Sequence, residues 1–200
     1  MSIDSRTAAG VLGLLAVAIF LAALLVYGFA NPDFNLWDDF VSSLGAKGAP
    51  HALAWNLIGF ALVGVLLFAF GLSYGLLLGD RPLAIFLSLF GLGFAFIASP
   101  MDFADAEVSK AHILAVCLGL ACWMFGLSRM GSNRTLAQKV RTRANITACL
   151  ILGSMLGFVL GIWSMPLTHR LVFGIVFGWT AITSLELLLS TPSPEQKRPQ

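Results

Sequence analysis

AAGVLGLLAVAIFLAALLVYGFA, residues 8–30, is twenty-three residues without a charge. As an α-helix rising 1.5 Å per residue it would run about 34 Å, enough to cross a hydrocarbon core of about 30 Å. Gly28-Phe29-Ala30 has the small-x-small form of a signal cleavage site, but signal h-regions are only about 7–15 residues long. The run is therefore read as a retained membrane span. Five further apolar runs follow, at about 52–78, 83–100, 112–130, 145–164 and 168–190. Pro50-His51, Gly79-Asp80-Arg81-Pro82 and Pro100 mark breaks between them, as helix boundaries require. Polar and apolar residues do not alternate along the runs, which argues against a β-barrel. Backbone crossing lipid must satisfy its own amides, so each run is expected to be a helix.

The composition agrees. Hydrophobic residues make up 58% of the 200 and charged residues only 11%, where a soluble domain carries about 25%. The predicted fold is thus an all-α polytopic membrane protein, with six transmembrane helices in one bundle over residues 1–190. Residues 191–200, TPSPEQKRPQ, are Pro-rich and polar and are expected to form a disordered cytoplasmic tail. The aqueous segments are too short to hold a nucleic-acid-binding domain. Cys117, Cys122 and Cys149 all lie in apolar runs and are read as small buried hydrophobes rather than disulfides or a metal site.

Lys and Arg set the expected orientation. With the N-terminus in the cytoplasm, Arg6, Arg81, Arg129, Arg134, Lys139, Arg141, Arg143, Lys197 and Arg198 are inside, and Lys47, Lys110 and Arg170 outside. The positive-inside rule then places both termini in the cytoplasm and the protein in the cell (inner or plasma) membrane. The basic loop RMGSNRTLAQKVRTR, residues 129–143, is read as an orientation signal that also touches anionic lipid head groups. Glycines recur four apart at Gly71 and Gly75, at Gly153, Gly157 and Gly161, and at Gly174 and Gly178. That spacing lets another backbone come close, within the monomer or in a homodimer. Glu186, inside the last span but about one turn from its inner end, is read as snorkelling, with proton coupling as the sharper alternative.

Polar chemistry concentrates on the expected outer side. The longest outer stretch, NPDFNLWDDFVSSLGAKGAPH (residues 31–51), holds three aspartates and a Ser-Ser-Leu-Gly turn. Ser42 and Ser43 suit a turn before Gly45; Phe34, Leu36, Trp37, Phe40 and Val41 suit a segment lying flat at the interface. His51, His112 and His169 each fall near the expected start of an inward-running helix, where free N–H groups and a partial positive charge favour an anion. The preferred reading is a polar pocket opening outward between the second, fourth and sixth spans, which binds or transports a lipid head group or a small anionic solute. No cofactor is expected on that reading. One alternative is a metal-dependent hydrolase of a lipid amide or ester, with His51, His112, His169 and Asp102 around a zinc ion. Against it, the chain has no HxxxH or HExxH pair. The other is a non-catalytic membrane scaffold or partner subunit whose polar residues merely cap helices.

A family likeness joins these residues. Ser42-Ser43-Leu44-Gly45 precedes a span opening with Trp55-Asn56; Pro100-Met101-Asp102 leads to His112; His169-Arg170 opens a last span carrying Trp179. The pattern, over about residues 10–190, resembles the prokaryotic six-span family called domain of unknown function 998. The resemblance implies a six-helix integral membrane fold and points to Ser43, Asn56, Asp102, His112 and Arg170. It implies no reaction.

Overall fold

A computed structural model describes residues 3–189, with side chains from residue 5 onward; the predicted tail at 191–200 lies outside the described residues. Six long helices carry the chain: α1 (Ile3–Ala30), α2 (Ala52–Leu77), α3 (Arg81–Phe96), α4 (Ala106–Ser132), α5 (Gln138–Val159) and α6 (Met165–Leu189). Among the described residues there is no strand. Five of the helices are long and apolar enough to cross a membrane; α3, with 16 residues, is shorter. Among the described residues, the one other helical segment is a 3-10 turn at Val41–Gly45.

Each helix packs antiparallel on the next, and α6 returns to α1, so the bundle is a closed up-and-down ring. With six helices both described chain ends, Ile3 and Leu189, fall at one end. That end also carries Arg81, Arg129, Arg134, Lys139, Arg141 and Arg143, and is called here the basic end. The opposite end carries the loops at 31–51 and 97–105 and all three histidines, and is called the histidine end.

The outward faces are hydrocarbon: Phe29 is 86% exposed and Val159 75% exposed. Inside, aromatic rings form a continuous column. Phe20 of α1 stacks on Phe177 of α6 at 4.3 Å and meets Phe94 of α3 edge-on at 5.9 Å. Trp123 of α4 meets Trp179 of α6 edge-on at 5.0 Å. Rings dominate because α1, α2, α3, α4 and α6 all contribute to a wide centre that aliphatic side chains alone would leave poorly filled. Small residues draw the ring shut where helices pair most closely. A Cβ at Gly64, Gly71, Gly75 or Gly91 would collide with backbone across the α2–α3 seam.

Four boundary expectations need correction. The third helix is Arg81–Phe96 rather than 83–100, because the residues after Phe96 tighten into turns before Pro100. The fourth begins at Ala106, not 112: Asp105 caps it by accepting from the N–H groups of Glu107 and Val108, which adds nearly two turns. The fifth is Gln138–Val159 rather than 145–164, so Lys139, Arg141 and Arg143 stand on its first turns instead of in a loop. The sixth begins at Met165, with His169 already a turn inside. The second helix is not uniform: residues Asn56–Leu62 wind as a π-helix, a widening often found at functional positions. Of the five tryptophans, Trp55, Trp123 and Trp179 are core residues, whereas Trp37 is 70% exposed as an interfacial anchor would be.

Candidate functional site

At the histidine end, the loop at 31–51 is fastened across the ring as a lid. Residues 31–40 are a series of turns. Asn35 ties the first half together. Its N–H and Nδ2 donate to Asp39 Oδ2 and Asp38 Oδ2, at 2.7 and 2.6 Å. Arg170 of α6 then holds this loop, its guanidinium donating to the carbonyls of Asn35, Trp37 and Asp39. The fork of Arg is suited to several acceptors at once. Farther along, the Ser43 hydroxyl donates to the Phe40 carbonyl at 2.7 Å, closing the 3-10 turn; Ser42 is half-buried in the same turn. Asn56 Nδ2, at the start of the π-helical stretch, donates to the Gly45 carbonyl at 2.9 Å.

A second loop closes the other side. Lys47 N–H donates to the Met101 carbonyl at 2.8 Å, and its ammonium pairs with Asp102 at 3.1 Å. Asp102 N–H donates to Ser109 Oγ, whose hydroxyl returns to the Asp102 carbonyl at 2.7 Å. The N–H of Ala104, and then Lys47, hold the Asp102 carboxyl below the usual carboxylate range. Ser43, Asn56, Asp102 and Arg170 stand at one end of the bundle; Ser43 shapes the lid from within, and the other three hold it. The three cations at this end that could meet an anion already have partners: Lys47 with Asp102, Lys110 with Glu107, and Arg170 with three carbonyls. The α4 N-terminus likewise already has a carboxylate, that of Asp105.

The three histidines take different places. His51 is exposed, in the left-handed conformation at φ 59° where α2 begins, beside Tyr27. His112 is buried against Phe60, and its Nδ1 has no hydrogen-bond partner. His169 lies beneath Phe40 of the lid, ring centroids 5.1 Å apart, and is close enough to His112 to interact electrostatically. Among the described residues, no three His, Cys, Asp or Glu side chains stand close enough to hold a metal ion. His51, His112, His169 and Asp102 therefore do not form the zinc shell of the hydrolase reading, and no step is derived through a metal.

Below the lid is a cavity of about 330 Å³ bounded by α3, α4, α5 and α6. Its walls are almost wholly apolar, including Phe94, Leu120, Val172 and Phe173, with His169 and Thr168 as the polar groups nearest the lid. Cys117 and Val159, both exposed on the outside of the bundle, also line it, so it opens sideways into whatever surrounds the helices. Sequence reasoning missed this space because no local pattern marks a gap between helices. It also missed Ser109, although an Asp105 cap followed by Glu107 would have placed the helix start and put Ser109 beside Asp102.

The basic end carries two tight polar networks. Asp80, with 2% of its side chain exposed, accepts from Leu83 N–H, Arg129 Nε and Asn133 Nδ2 at 3.1, 2.9 and 2.7 Å. Burial pushes its carboxyl upward, but those hydrogen bonds and the Arg129 charge outweigh it and leave the carboxyl below its usual value. Glu186 faces α5 and accepts from Arg143 at 2.6 Å and Lys139 at 2.7 Å.

In comparison with known proteins, one family model, described as protein of unknown function (DUF998), matches residues 14–190. No curated protein and no solved structure matches the chain.

Proposed function

This chain belongs to the DUF998 family of proteins of unknown function, and from its own geometry we propose that it spans the cell membrane six times and binds a lipid under its outer lid. On this reading α3 is the sixth crossing, the basic end is cytoplasmic together with both termini, and the histidine end faces out. The lipid's hydrocarbon chain enters sideways into the cavity between α3, α4, α5 and α6. Its head group sits at the lid, where the His169 imidazole donates or accepts a hydrogen bond. The observation that carries this is the cavity itself: about 330 Å³ of apolar space, within the range of ligand pockets, with its polar groups only at the lid. A small anionic solute has less support, because the cations that would greet it are engaged with protein partners.

The test is native mass spectrometry of the detergent-purified protein after partial delipidation. Wild type is expected to retain a phospholipid in the outer cavity, read as one lipid more per chain than in Val172→Trp. Val172→Trp, which fills the cavity, is expected to lose it, and His169→Leu to weaken retention several-fold. Equal occupancy in all three proteins would overturn the reading. The same outcome would favour the scaffold reading, which has its own supporting observation: Ser43, Asn56, Asp102 and Arg170 all spend hydrogen bonds within the chain.

A further inference from the structure

A second, separate groove runs between α5 and α6 from the basic end toward the bundle middle, with a volume of about 540 Å³. Its floor is Gly174 and Gly178, where an added Cβ would meet nothing within 4 Å. These glycines are unlike Gly75 and Gly91, which the α2–α3 seam consumes. Ile146, Leu150 and Ile182 form apolar walls, and Lys139 and Arg143 stand at the mouth. From Lys139 to Leu150 along α5 the groove extends about 16 Å, from the polar first turns of the helix into the leaflet at the basic end.

Among the described side chains, charge at the mouth is positive in balance. Lys139 and Arg143 share the single carboxylate of Glu186, and an ammonium plus a guanidinium offer eight N–H donors between them. Two N–H groups here, the second already among those eight donors, have no acceptor among the described residues. Trp179, 3% exposed and lining the groove, has an Nε1–H without an acceptor, and Arg143 Nε is likewise without one. An apolar inner part within one leaflet, a glycine floor and a basic mouth with spare donors together describe a receptacle for a phospholipid. Basic pockets between membrane helices bind anionic head groups in this way.

We infer that the α5–α6 groove holds an anionic phospholipid of the leaflet at the basic end, its phosphate at Lys139 and Arg143 and one acyl chain over Gly174 and Gly178. This site lies on the other side of Trp179 from the aromatic column and shares no lining residue with the outer cavity.

The experiment is lipid exchange read by native mass spectrometry, with phosphatidylglycerol and phosphatidylcholine added separately to Val172→Trp protein, so that the outer cavity is filled. Phosphatidylglycerol is expected to be retained in preference. Lys139→Gln, at an exposed side chain, is expected to cut that retention about fivefold and leave phosphatidylcholine unchanged. Gly178→Leu is expected to reduce both lipids. Free glycerol phosphate is expected not to displace the bound lipid. Equal retention of the two lipids, or unchanged phosphatidylglycerol in both variants, would overturn the inference. So would Gly178→Leu converting a dimer to a monomer without changing lipid retention, since a second copy of the chain would then be the occupant.

Discussion

Asp80 shows how much one side chain does at a helix junction. It caps α3 through Leu83 N–H and ties that helix to the end of α4 through Arg129 and Asn133. Loss of an N-cap costs about 0.5–2 kcal/mol, and the charged hydrogen bonds add to it. Asp80→Ala is therefore expected to lower the thermal midpoint in detergent more than Asp80→Asn, which keeps a capping oxygen. The pH dependence follows from the depressed carboxyl. Its contribution is complete above the unfolded value of about 3.9 and is lost as pH falls through the lower folded value. Wild type should lose stability in that acidic window, and Asp80→Asn should show a flatter profile there. A profile identical to wild type in Asp80→Asn would mean the carboxylate contributes nothing. Other residues were legible in position but not in partner. Arg170 is legible as a cation at the histidine end, but not its acceptors, which are backbone carbonyls more than 130 positions away. Glu186 stood out as an acid in a span, yet nothing local in sequence pairs it with Arg143.

At the scale of elements, six apolar runs and their Pro and Gly breaks were readable, because lipid demands long uncharged helices and punctuation between them. The ends were not. Polar helix turns outside the hydrocarbon, such as those led by Asp105 and Gln138, look like loop in composition. The glycine spacing was readable as close packing, but not which seam it served. The structure divides the glycines. Gly91 faces the backbone of Phe68 with no room for a methyl group, whereas Gly153 has open space around it. Gly91→Ala should thus destabilise by about 1–3 kcal/mol through overpacking. Gly153→Ala should be neutral or stabilise by up to about 1 kcal/mol, since Ala is the better helix former. Thermal unfolding of the two variants in one detergent checks the contrast; equal shifts would contradict the assigned seams.

Across the whole molecule, the account depends on an inside-out bundle: hydrocarbon faces outward, rings and small residues inward, and ionisable groups gather at two ends. The short α3 is the critical element. Its 16 residues give about 24 Å, less than the average hydrocarbon thickness, so the proposed sixth crossing would rely on its neighbours α2 and α4 and on local thinning. Ring closure was not legible, because apolar faces carry no code for a particular partner. The opposition of the two ends was, because charge distribution records it directly. The decisive measurement is cysteine labelling on either side of α3, in protein whose three native cysteines are replaced by alanine. Arg81→Cys and Ala104→Cys are probed with a membrane-impermeant maleimide in intact cells and after permeabilisation. The account predicts that position 104 labels in intact cells and position 81 only after permeabilisation. Labelling of both positions from the same side would contradict it.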